Sequence, residues 1–214
     1  MKVVHIEARS SIEKFDFDAD LLPVRIGLLT TVQFLDELSK LKEYLENKGK
    51  TAIIGGQILG CDQSEAVRIK DEVDCFLYLG SGRFHPIGIT KKTDKPVFTL
   101  HPDDQKLEQL DQKLVDDHEK RKRGQYAKFL QAKNIGVLMT KKSGQVQVQA
   151  TIGRILALED QYQENRFYFF LSDTFDFNEI ENFPFIDSWL NTMCPRIEED
   201  IRILNFEDLK EFQE

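Results

Sequence analysis

Short apolar runs that end in glycine, separated by stretches of helical spacing, restrict the fold of this 214-residue chain more than any other feature. Val24 to Leu29 reads as a buried strand. Leu35, Leu38, Leu41 and Leu45 then recur at helical spacing, and Gly49 supplies the stop. Thr51 to Ile54 ends in Gly55-Gly56, and Phe76 to Leu79 ends in Gly80-Ser81-Gly82. Pro96 to Leu100 carries its proline at the strand start, where a missing N–H is tolerated. From Asp103 to Ala132 the chain is polar and helical. The alternation then restarts: a strand at Ile135 to Thr140, a turn at Lys141 to Gln145, a helix over about Val148 to Gln161. Strands at Phe167 to Leu171 and Ser188 to Asn191 follow, with a final helix at Phe206 to Phe212.

Strands alternating with helices through glycine-bearing turns predict an α/β fold, here two small parallel-sheet domains with helices on both faces. Their expected bounds are 22–104 and 134–214, joined by a connecting helix at 105–133. Residues 1–21 precede them, with a polar linker at Ser10 to Asp20. The duplication is architectural, with no residue-level repeat evident in the sequence.

Composition narrows the function. A formal net charge of −8 argues against direct nucleic-acid binding, which favours a basic surplus. No apolar run approaches the roughly 18 residues of a membrane span, and Met1 to Arg9 lacks a signal-peptide pattern. A cytoplasmic protein without membrane association is expected. The one basic concentration, Lys120 to Arg123, reads first as a solvated helix face.

The three cysteines, Cys61, Cys75 and Cys194, contain no CxxC pair, so any metal site must be assembled from distant parts of the chain. In open parallel sheets ligands bind beyond the carboxyl ends of the strands. Cys61 follows one strand end and Cys194 another, whereas Cys75 opens its strand and belongs in the core. Two cysteines are positioned for chemistry and one for packing.

Three strand-end loops carry groups suited to ligands. Gly55 to Asp62 is a glycine-rich loop with a helix opening at Asp62. Gly80-Ser81-Gly82-Arg83-Phe84-His85-Pro86 lacks the full dinucleotide spacing, and Pro86 is expected to hold His85 extended. Lys141 to Gln145 offers positive charge and amide donors. Asp173 and Asp176 are expected to cap a short helix in an aromatic stretch, and Cys194-Pro195 forms a braced turn with Arg196 beyond it. Each of these also reads as an ordinary turn.

Taken together, GGQILGCD (55–62), LYLGSGRFHPIG (77–88), KKSGQ (141–145), SDTFDF (172–177) and FPFIDSWLNTMCPRI (183–197) closely resemble the archaeal diphthamide synthases, the 2-(3-amino-3-carboxypropyl)histidine synthases. The resemblance runs from about Val3 to Glu199. It implies three similar α/β domains, each offering one cysteine to a central 4Fe–4S cluster whose open iron meets S-adenosylmethionine. It implies cleavage of the bond between sulfur and the methionine Cγ. The 3-amino-3-carboxypropyl group then passes to C2 of a histidine imidazole on translation elongation factor 2.

Carried onto this sequence, the resemblance makes Cys61 and Cys194 cluster ligands and leaves Cys75 without a ligand role. It turns Gly80, Ser81, Gly82, Phe84, His85 and Pro86, with Ser143, Gly144 and Gln145, toward S-adenosylmethionine. Arg121 to Arg123 would meet its carboxylate or the elongation factor. No side chain is singled out as a catalytic acid or base. Members of the family carry a whole domain ahead of this region, and Val3 to Ser10 resembles only that domain's last strand, with the first cysteine ligand absent. The expectation is a split or truncated enzyme. Its partners would be elongation factor 2 and either a chain supplying the first domain or a homo- or heterodimer partner. The alternative is a non-catalytic companion subunit that binds a full-length synthase or the elongation factor. A metal-free, flavodoxin-like nucleotide-binding domain is a third class.

Overall fold

The glycine-terminated apolar runs are strands of two separate sheets. The computed structural model describes residue 4 and residues 6–60, 62–141, 148–199 and 201–212. The chain divides into two compact units, Met1–Asp116 and Asp117–Glu214.

In the first unit β1 (Arg25–Thr30) lies between β2 (Thr51–Gln57) and β3 (Cys75–Leu79), with β4 (Val97–Leu100) beyond β3. These four strands are parallel, and β5 (Leu107–Gln109) closes the edge antiparallel to β4. Strands β1 and β3 are apolar almost throughout because both of their faces are covered. Helix α1 (Leu38–Asn47) turns Leu38, Leu41 and Leu45 onto one face, against Ile26, Leu28 and Leu77. Each such leucine contributes about 1.5–3 kcal/mol when fully buried. Helix α2 (Ser64–Ile69) brings Ala66 and Ile69 to the other face, in a cluster with Leu29, Phe76 and Tyr78. Ile89 of α3 (Phe84–Thr93) joins the same cluster.

Three features of this unit depart from the sequence reading. The polar stretch Ser10 to Asp20 is no free linker. Ile12, Phe15 and Ala19 are buried in the α1 core, and Tyr44 Oη donates to the Phe17 carbonyl at 2.6 Å. Polar neighbours hide this pattern because only every third or fourth residue turns inward. The continuous helix expected from Asp103 to Ala132 is interrupted by β5, after which α4 (Gln112–Gln131) begins. A turn makes the break: Gln105 has φ 55°, and Asp104 Oδ1 accepts from the Lys106 N–H at 3.0 Å. Finally, the described residues between Val4 and Ser10 form no strand, with Val4 and Ile6 79% and 89% exposed. A strand needs a neighbour for its backbone groups, and among the described residues none runs alongside. His5 lies outside the described residues.

The second unit has the order β7-β6-β8-β9, all parallel: β6 (Asn134–Thr140), β7 (Arg166–Ser172), β8 (Ser188–Asn191) and β9 (Leu204–Asn205). Ile155 and Leu158 of α5 (Val148–Gln161), Phe129 of α4, and Phe206 and Leu209 of α6 (Phe206–Glu211) cover one face. An aromatic layer covers the other, where Phe170 and Phe183 lie close to Trp189.

Register exposes a correspondence that sequence inspection missed. In the first sheet Gly27 of β1 pairs with Phe76 of β3, and in the second Gly136 of β6 pairs with Trp189 of β8. A Cβ at Gly27 would lie 2.7 Å from the Phe76 ring, and one at Gly136 would overlap the Trp189 indole. An aspartate precedes each aromatic strand and accepts from the neighbouring strand's first N–H: Asp74 from Arg25 at 3.2 Å, Asp187 from Asn134 at 2.8 Å. The repeat is therefore Ile-Gly in one strand facing Asp-Cys-Phe-Leu or Asp-Ser-Trp-Leu in the next. It is spread over two segments per unit, which is why a linear scan does not show it.

Candidate functional site

In the first unit the candidate residues gather at the carboxyl ends of β2 and β3. Gly55 and Gly56 belong to β2 itself, where the register with β1 slips by one residue between Leu28 and Leu29. The loop proper starts later. Leu59 and Asp62 close it with reciprocal backbone hydrogen bonds of 3.0 and 3.1 Å. Asp62 Oδ1 accepts from the Ser64 N–H at 2.9 Å, which holds the Asp62 carboxyl below the usual carboxylate range. Cys61, expected as a metal ligand, lies outside the described residues.

The second loop packs onto the first. Phe84 lies over Gly60 so closely that a Cβ there would overlap its ring, and Gln63 Nε2 donates to the Leu59 carbonyl at 2.9 Å. Gly80 is buried, Ser81 and Gly82 are exposed, and Phe84 and His85 are half-buried. His85 is not extended as expected. It stands in the first turn of α3 with buried Pro86 behind it, because proline is tolerated in a first turn, where the N–H has no helical partner. The Tyr78 ring stacks on the His85 imidazole at 5.7 Å, and Tyr78 Oη lies 3.4 Å from His85 Nδ1. Burial pushes the Tyr78 phenol up to about 12. Beside this loop a cleft of about 500 Å³ is lined by Gly80, Ser81 and Arg83, with His101, Lys106 and Glu108 opposite.

The two described cysteines differ in burial as their strand positions predict. Cys75 is completely buried, and desolvation pushes its thiol up to about 12. A group so reluctant to ionise is a poor metal ligand. Cys194 is an exposed free thiol just past the end of β8.

The turn carrying Cys194 is held from below by two buried asparagines. Asn191 Nδ2 donates to the Cys194 carbonyl at 3.0 Å and to Asn205 Oδ1 at 2.7 Å, while its Oδ1 accepts from the Met193 N–H at 3.0 Å. Asn205 Nδ2 donates to the Pro195 carbonyl at 3.3 Å. Neither asparagine was a sequence candidate. Their signal is amide side chains at the ends of otherwise apolar strands, meaningful only once β8 and β9 are known to pair.

Other expectations divide. Asp176 caps its short helix by accepting from the Asn178 N–H at 3.0 Å. Asp173 instead lies 3.5 Å from Lys141, both exposed. Within the basic run Lys122 is buried and bonded to Asp208 at 2.7 Å, so it serves packing rather than a ligand. Ser143, Gly144 and Gln145 lie outside the described residues. Among the described residues no three histidine, cysteine, aspartate or glutamate side chains converge as a metal site, and no helix is long and apolar enough to cross a membrane.

These features fall within one family. Residues 1–213 match the family described as "Putative diphthamide synthesis protein", and the chain belongs to that family. It is 32% identical over 184 residues to the 2-(3-amino-3-carboxypropyl)histidine synthase of Pyrococcus horikoshii, covering 81% of this chain and 51% of the relative. It is 27% identical over 201 residues to 2-(3-amino-3-carboxypropyl)histidine synthase subunit 1 of Schizosaccharomyces pombe, covering 82% and 42%. The crystal structure of Dph2 from Pyrococcus horikoshii with a 4Fe-4S cluster superposes with a TM-score of 0.76 at 28% identity, over 90% of this chain and 58% of that one. The chain thus spans about half the length of the curated relatives it matches.

Proposed function

We propose that this chain takes part in the first step of diphthamide synthesis, transferring the 3-amino-3-carboxypropyl group of S-adenosylmethionine to a histidine of translation elongation factor 2. In this reading the α/β domains 22–104 and 134–214 each give one thiolate, Cys61 and Cys194, to a 4Fe–4S cluster. A further cysteine comes from another domain or a partner chain. The observation that carries the reading is the exposed Cys194 thiol at a strand end, in a chain matched nearly end to end by the diphthamide family. The donor chemistry fits a cluster, since cysteine thiolates are its usual ligands and the buried Cys75 is kept protonated.

When bound, the cluster would supply the electron that breaks the sulfonium's bond to Cγ. The chain's own residues bind and shield. The loop Gly80 to Pro86 opens α3 and lines the cleft with Gly80, Ser81 and Gly82, whose glycine backbone allows a substrate to approach closely. Half-buried Phe84 and His85 beside it limit water at the reacting carbon. Ser143, Gly144 and Gln145 are assigned to the same substrate from the family motif. The reaction belongs in the cytoplasm, where elongation factor 2 works.

Anaerobic transfer of label from carboxyl-labelled S-adenosylmethionine to elongation factor 2, by the chain with the partner it co-purifies with, tests the proposal. Cys61→Ala and Cys194→Ala should each abolish transfer. Undiminished transfer with both changes would reject the ligand roles and favour a non-catalytic companion subunit.

A further inference from the structure

Asparagine is an unexpected residue at the end of a buried parallel strand. Asn191 and Asn205 are register partners on β8 and β9, and only 2% and 5% exposed. Burying two amides is unfavourable unless their polar atoms are satisfied. Here they are satisfied by the turn that carries Cys194. One amide takes the N–H of Met193 and the carbonyl of Cys194 from opposite sides; the other takes the carbonyl of Pro195. The Asn191 amide has one workable orientation, because its oxygen must face the Met193 N–H while its nitrogen faces two acceptors. Thr192 adds a third tie, with Oγ1 donating to the Leu138 carbonyl at 2.8 Å. Within the turn the Cys194 carbonyl also accepts from the Ile197 N–H at 3.2 Å.

We infer that Asn205, acting through Asn191, is a positioning residue that fixes the backbone of Cys194 and so the direction in which its thiol is presented to an iron–sulfur cluster. The inference rests on the ligand reading of Cys194 given above. Outer partners of this kind orient metal ligands, and their loss weakens metal binding without removing a ligand. Asn205 lies eleven residues beyond the cysteine it serves and touches no reacting atom. It therefore differs in kind from Cys194.

The test uses the whole chain, reconstituted anaerobically with ferrous iron and sulfide, with excess 2-mercaptoethanol to complete the coordination. Asn205→Leu keeps the branching and heavy-atom number and removes the bonds to Asn191 and Pro195, and Asn205→Ser keeps polarity but not reach. Wild type, both variants and Cys194→Ala are compared by thermal unfolding, by amide hydrogen exchange at Met193 and Ile197, and by iron retention against a chelator.

At least one Asn205 variant should melt as a folded protein, with exchange at Met193 and Ile197 faster by about tenfold, the effect of losing one or two hydrogen bonds. Its iron retention should be weaker by about tenfold or more. Wild-type exchange, or faster exchange with wild-type iron retention, would overturn the positioning role. Loss of the fold in both variants would also overturn it, assigning the pair to general stability. Should Cys194→Ala retain iron as wild type does, the ligand reading itself is wrong. Should it lose iron while the Asn205 variants hold theirs, only the positioning inference falls.

Discussion

Phe84 lies directly on Gly60, so the loop that opens α3 rests on the residue before Cys61. Two candidate loops from different βα connections are thereby held as one surface at the strand ends. Such close packing requires a residue without a side chain at position 60.

Gly60→Ala should therefore displace Phe84 or the Leu59–Asp62 turn, at a cost of about 1–3 kcal/mol for overpacking. Iron uptake in reconstitution should fall in the same variant. Thermal unfolding with an iron assay checks both, and Phe84→Ala in the Gly60→Ala background should recover part of the lost stability.

The thiols should separate by reactivity. Native chain treated with iodoacetamide near pH 8 should be alkylated at Cys194 and not at Cys75, which is buried with its thiol pushed up to about 12. Peptide mass mapping decides it. Cys75→Ala should leave iron uptake unchanged while lowering stability by about 1 kcal/mol, the usual cost of a small core truncation.

Alkaline pH should destabilise the first unit. Cys75 and Tyr78 carry charge only when deprotonated, and burial raises both folded values to about 12, from 9.0 and 10.0. Their contribution is fully present below pH 9 and is lost as pH rises from 9 through about 12. Every tenfold difference in proton affinity between the folded and unfolded chain is worth about 1.4 kcal/mol. Denaturant midpoints between pH 8 and 11 should fall, and Tyr78→Phe should flatten the decline.

Acid should act on the strand-start aspartates. Asp74 is held low by the Arg25 side chain and backbone, and Asp187 by the backbone N–H groups of Asn134 and Lys133. Depressed folded values mean a contribution present above the ordinary 3.8 and lost as pH falls below it. Asp187→Asn should reduce the acid sensitivity of unfolding relative to wild type.

Breaking the Lys122–Asp208 pair should cost more than any surface ion pair of the chain. Both partners are largely buried, and breaking a buried ion pair by removing one partner typically costs about 3–5 kcal/mol. Lys122→Met should lower the melting temperature sharply, and Lys122→Met with Asp208→Leu should recover most of the loss. Label transfer at a permissive temperature should be unaffected.

Strands with both faces covered were legible because continuous apolar runs have few other uses. The bounds of Ser188–Asn191 and of α5 coincide with the expected ones. Strands β5 and β9 were not legible: three and two residues are too short to show a period, and only a neighbour makes them strands. Residues Ile12, Phe15 and Ala19 were hidden by the charged residues between them. At the site, the burial of Cys75 and the exposure of Cys194 followed from strand polarity alone. His85 was misread because the rule for a residue before proline yields to the helix's first turn. Asn205 was invisible because its importance comes from a hydrogen bond across strands rather than from its neighbours in sequence.

The seat that Gly136 makes for Trp189 has a practical consequence. This is the chain's single tryptophan, and it belongs to the second unit, so indole emission excited at the red edge reports that unit and is silent about the first. The sixteen phenylalanines and five tyrosines do not compete at that wavelength. An optical titration can therefore ask which half of the polypeptide a bound factor tightens, without a label being attached anywhere.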